Sequence, residues 1–160
     1  MNKKSESWQY YSCGLNEKLN HLHGSRSLYT LWNSKRDGDI LPAWKDFEFE
    51  DFIGLHSQII FTEIQHEPFD LYYRIFGSFA SDLYDQNLTG AKLRSTGHHH
   101  KDPDILNYYE NLQKNQNIGS CTGPLNWLGK EYLHVSMIDL PLSANGENVT
   151  HFLSAIQHHG

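Results

Sequence analysis

The chain is poor in the features that mark several functional classes. Its 160 residues contain two cysteines, Cys13 and Cys121, far apart and without the close pairing of a zinc or redox motif, so two reduced thiols are expected. No apolar run approaches the ~18 residues needed to cross a bilayer, which argues against an integral membrane protein. Lys3 and Lys4 open the chain, but Ser5, Glu6, Ser7 and Gln9 interrupt the apolar stretch that a signal peptide requires, leaving the cytoplasm as the expected location. Basic residues are also scarce: 13 Lys and Arg against 19 Asp and Glu give a net charge of −6. That balance supplies no footprint for a phosphate backbone, so nucleic acid is not an expected partner.

What is present fits one globular domain. Hydrophobic residues make up 38% and charged residues 20%, while 13% aromatic is on the high side. Leu15, Leu19 and Leu22 recur at helical spacing, and Leu28, Leu31 and Trp32 follow Gly24-Ser25, so amphipathic N-terminal helices are expected. A third short pattern beyond Pro42 places Phe49, Phe52, Ile53 and His56 on one face. Ile59 to Ile64 and Leu71 to Phe76 flank a turn at His66-Glu67-Pro68 and form a predicted hairpin.

Ser78 follows Gly77 as a helix cap, with Phe79 and Leu83 behind it. Asp102-Pro103-Asp104 is the clearest helix start, because proline at the first helical position loses no needed N–H and an acid suits the first turn. Three strands then follow, near 118–125, 132–140 and 149–156, with turns at Gly129-Lys130 and Asn145-Gly146. Five strands split two and three around a helical insert predict an α+β fold with one antiparallel sheet. The expected division is an N-terminal helical extension over 1–25 and the main domain over 26–160.

Four stretches carry a family resemblance: Leu28-Tyr29-Thr30-Leu31-Trp32 before Asp37-Gly38; Leu41-Pro42 to Phe52-Ile53; Arg74-Ile75-Phe76-Gly77-Ser78 into Asn87-Leu88-Thr89-Gly90; and Gly129-Lys130-Glu131-Tyr132 to Leu140-Pro141-Leu142. Together they resemble small bacterial PAS-domain proteins over about 28–156. The resemblance implies a PAS-like five-stranded antiparallel sheet with helices on one face and extra N-terminal helices. It also implies a sensory or signalling role through a small molecule or a protein partner, and names no cofactor. Neither cysteine has the surroundings of the reactive cysteine in flavin-binding light sensors of this fold. No context singles out one of the 11 histidines as a haem ligand.

Candidate site residues follow from the alternation. Arg74 shares a strand face with Tyr72 and Phe76, where it is either an anchor for an anionic ligand or half of an ion pair. His134 raises the same question beside Tyr132, Ser136 and Ile138. Phe76, Phe79, Tyr84, Tyr109, Trp127 and Phe152 either line a ligand pocket or fill the core. His98, His99 and His100 are expected on a solvated polar loop rather than in a metal site, because adjacent ligands lack the gaps of structural zinc sites.

The sequence contains no Gly-x-Ser-x-Gly elbow, phosphate-binding glycine loop or His-Glu-x-x-His motif, so a non-catalytic domain is expected. The rival readings are a small α+β enzyme with an enclosed acid–base site and a closed dimerisation module. Self-association is expected through the apolar stripes between Leu15 and Trp32.

Overall fold

A computed structural model describes residues 7–19 and 22–159. The strands are β1 (Gln9–Cys13), β2 (Ile59–Gln65), β3 (Asp70–Phe76), β4 (Ile118–Leu125), β5 (Lys130–Leu142) and β6 (His151–His159). The α-helices are α1 (Arg26–Ser34), α2 (Ser78–Tyr84), α3 (Gly97–Lys101) and α4 (Asp104–Asn115). All six strands join one antiparallel sheet in the order β1-β4-β5-β6-β2-β3. The expected hairpin and the three C-terminal strands are therefore present, and the sheet gains a sixth strand from the N-terminus.

That sixth strand corrects the expected N-terminal helix. Gln9–Cys13 pairs with Ile118–Thr122 of β4, while residues 14–19 form turns and bends rather than a helical stripe. Leu19 and Leu22 are nonetheless buried, so their apolar character marks the core without marking a helix. The second N-terminal pattern does form a helix: Ser25 caps α1 by accepting from the Leu28 N–H at 3.1 Å, and Leu28 and Trp32 are fully buried. Burying a leucine and a tryptophan of this kind contributes roughly 2–3 kcal/mol each. These side chains fill the protein's own core, while Leu15 and Leu31 of the same stripe are only partly buried.

The sheet is covered on both sides. Asp139 on β5 meets Tyr108 and Tyr109 of α4, and strand alternation puts Val135 and Met137 on that same face. On the opposite face the Trp32 indole donates to the Pro141 carbonyl at 2.9 Å, Gly24 packs on Ile138, and Trp44 stacks on Phe61. Helices α2 to α4 thus occupy one face, and α1 with the 3-10 turns of residues 44–52 occupies the other. The third expected helical pattern resolves into those short turns, Trp44–Asp46 and Phe49–Phe52.

Candidate functional site

The layer between the sheet and α2–α4 is built around a carboxylate. Asp139 is 0% exposed in the middle of Ile138-Asp139-Leu140, held there because β5 is central and both of its faces are covered. It accepts from the Tyr108 hydroxyl at 2.5 Å, the Tyr109 hydroxyl at 3.0 Å and the Ser154 hydroxyl, while the Cys121 thiol lies 3.9 Å away. Helix α4 delivers both tyrosines on consecutive positions, and Ser154 is the register partner of Asp139 on β6. Burial raises the carboxyl above its ordinary range, and the donated hydrogen bonds oppose that rise. The same burial, reinforced by the Asp139 charge, pushes Tyr108, Tyr109 and the Cys121 thiol up, so all three stay protonated as donors.

Small residues make room for this layer. An added Cβ at Gly119 would lie 2.5 Å from Leu112 Cδ1, and one at Gly123 would lie 2.5 Å from the Trp8 ring. Only glycine lets α4 and Trp8 approach β4 so closely.

A second group ties the N-terminal segment to the helices. His98 is buried, its ring 4.1 Å from Trp8 and stacked on Trp127 at 4.7 Å. The Tyr10 hydroxyl donates to Asp102 at 2.7 Å and sits 3.4 Å from His98 Nε2. Burial, with a smaller effect from His99, pulls the His98 pKa down to about 3, so its imidazole is neutral near pH 7. The three histidines accordingly do not form the expected loop: they lie in α3, capped by the Thr96 hydroxyl, with His98 turned inward. Among the described residues no group of His, Cys, Asp and Glu is arranged to hold a metal.

The candidate residues divide between the two faces. Phe76 meets Tyr84 at 5.3 Å, Tyr84 meets Trp127 at 5.6 Å, and Tyr109 meets Phe152 at 5.3 Å, which brings these five into the layer around Asp139. Phe79 lies at its margin, 5.6 Å from His158. Arg74 lies elsewhere. It is half-exposed on the opposite sheet face, its Nε and Nη2 each 3.1 Å from the Glu63 carboxylate and its guanidinium over Tyr72. His134 also belongs to that opposite face, with Ser136 and Ile138.

Sequence reasoning missed Asp139, Tyr108, Cys121, His98 and Tyr10. An acid inside the apolar run of β5 was the available signal. It also missed Thr62, whose hydroxyl faces this layer 3% exposed, opposite Phe152 and Tyr73, and makes no hydrogen bond. Burial raises the Tyr73 and Tyr84 phenols, with Asp139 adding to the rise at both and Tyr73 at the second.

An antiparallel sheet with short helices inserted between β3 and β4 is an α+β architecture consistent with the PAS fold. The chain belongs to the PAS domain family, whose model matches residues 20–157. No curated protein and no solved structure matches the chain.

Proposed function

We propose that this PAS domain is a non-catalytic sensory module that takes a small uncharged molecule into the layer between the sheet and α2–α4. The observation that carries this reading is the Thr62 hydroxyl, buried without a partner two positions along the β2–β6 register from the Ser154–Asp139 pair. A buried hydroxyl without a hydrogen bond costs about 1–3 kcal/mol, and a ligand carrying one donor or acceptor would recover it. The aromatic rings of Phe76, Tyr84 and Trp127 supply the apolar wall such sites use.

Charge chooses between ligand classes. Among the described residues no cation pairs with Asp139, so an anion placed beside that carboxyl at low dielectric would find no compensating charge. Arg74, the anchor an anion would need, points to the other face and is engaged with Glu63. Binding here would be felt by α3 and by Trp8 and Tyr10, through the His98 contacts, which gives the N-terminal segment a route for passing a signal to a partner protein.

Native mass spectrometry of freshly purified protein, followed by thermal shifts across neutral and anionic metabolites, tests the reading. A neutral compound should raise the melting temperature of the wild type and of Arg74→Met, and Thr62→Val should lose that shift while keeping its own fold. Shifts confined to anions and abolished by Arg74→Met would overturn it. Turnover of a library compound would favour the enzyme instead.

A further inference from the structure

Away from this layer, on the face covered by the N-terminal half, exposed apolar side chains border one groove. Phe49 is 76% and Ile53 74% exposed, and Ile75 on β3 is also exposed. A groove of about 440 Å³ is lined by Phe49 and Ile75, floored by Phe47, Phe52 and Ile59 and bordered by Glu48, with Ile53 just outside its lining. Isolated exposed hydrophobics need no explanation, whereas a cluster around a groove marks an interaction surface.

The surface is organised in advance. Asp46 accepts from the Ala43 N–H at 2.8 Å and Asp51 from the Glu48 N–H at 2.7 Å, so each 3-10 turn carries its own side-chain cap. Lys35, the C-cap of α1, ties Asp51 to the body of the protein at 3.1 Å. Trp44 stacks on Phe61 at 4.2 Å, with an interplanar angle of 17°, anchoring the turns to β2. Even the exposed Phe49 ring is held, stacked 4.3 Å from His56, whose Nε2 lies 2.9 Å from the Phe49 carbonyl. A partner therefore finds rings already fixed, and docking avoids much of the ordering cost that weakens association with loose side chains.

Charge identifies the occupant. Residues 44–52 carry Asp46, Glu48, Glu50 and Asp51 against Lys45 alone. The caps and Lys35 engage Asp46 and Asp51, while Glu48 and Glu50 are exposed and form no ion pair among the described residues. A second copy would bring the same acidic rim against itself, and an anionic lipid surface would also be repelled. We propose that this groove docks a basic amphipathic segment of a partner protein, apolar side chains seated between Phe49 and Ile75 and Lys or Arg side chains on Glu48 and Glu50.

Fluorescence-anisotropy titration of the full chain with a labelled Leu/Lys amphipathic helical peptide, and with its Leu/Glu counterpart of identical apolar pattern, is the test. The Leu/Lys peptide should bind saturably and less tightly as salt rises, and the Leu/Glu peptide should not bind. The double variant Phe49→Ser with Ile75→Ser should weaken binding about tenfold or more, since it removes the two exposed apolar side chains that line the groove. Glu48→Lys with Glu50→Lys should do the same, whereas Asp104→Lys with Glu131→Lys, placed elsewhere on the surface, should leave affinity unchanged. Equal binding by the serine variant, or by both peptides, would overturn the proposal. So would a wild-type dimer in sedimentation that the serine variant dissociates, because the occupant would then be a second copy.

Discussion

Two buried ionisable side chains respond to pH in opposite senses. Asp139 has its acid pKa raised by burial, so the native state holds its proton more tightly than the unfolded chain. Its contribution to stability is complete below the ordinary carboxylate range and is lost as pH rises through the raised value. What keeps it in place is hydrogen bonding: replacing Asp139 with Ala strands the hydroxyls of Tyr108, Tyr109 and Ser154 in the interior. A loss of about 3 kcal/mol is expected from urea unfolding of Asp139→Ala, and a loss below about 1 kcal/mol would mean that the three donors find other acceptors.

His98 runs the other way. Its pKa falls from 6.5 to about 3, so its stabilising contribution is present above the unfolded value and is lost as pH drops from there towards 3. The slope is at most about 1.4 kcal/mol per pH unit. His98→Phe keeps a ring between Trp8 and Trp127 and removes the titration, so its melting temperature should fall less steeply than the wild type's between about pH 6 and pH 4. Parallel curves would show that His98 does not titrate on unfolding. His98 did not stand out in the sequence by type, since three consecutive histidines read as solvent-facing and burial of the first depends on Trp8, distant in sequence and just ahead of β1.

At the level of elements, local chemistry identified those whose signals were local. The helix after Gly24-Ser25, the turn between β2 and β3, and the Asp102-Pro103-Asp104 entry to α4 each rest on a few neighbouring residues, and each is present in the structure, whereas Ser78, expected as a cap, is the first residue of α2 with Gly77 at the cap. The exceptions are elements decided by tertiary contacts. Gln9–Cys13 has no strong strand pattern of its own and becomes a strand because β4 offers an unpaired edge, with Gly119 and Gly123 leaving space for rings above it. Leu15, Leu19 and Leu22 repeat at helical spacing over a segment whose described part turns instead, its leucines drawn into the core one at a time. The 3-10 turns of residues 44–52 mimic a helical face in sequence, yet the backbone leaves helical geometry at Phe47 and Ile53, so each turn stops after three or four residues and Phe49 is left outside.

For the molecule as a whole, the α+β class and antiparallel sheet were legible because strand count and helix order survive errors at individual boundaries. The site was legible only in part: aromatic side chains announce a core, but which sheet face each one meets depends on a register the sequence does not display. Arg74 shows the consequence, since the strand bulge between Phe61 and Thr62 separates it from the face that carries Tyr73 and Phe76. The same register bears on association. Trp8, Cys13, Leu19 and Leu22 are buried in the domain's own core, and β1 covers the outer edge of β4. Removing the residues before Ser25 should therefore lower the melting temperature, and it should also create association where there was less, because β4 then presents unpaired backbone groups beside newly exposed apolar surface. Analytical ultracentrifugation of the truncated and full-length chains separates this from an interface role. Larger species in the truncated protein are the expected result, whereas a full-length dimer that truncation converts to a stable monomer would place the dimer contact in the N-terminal segment.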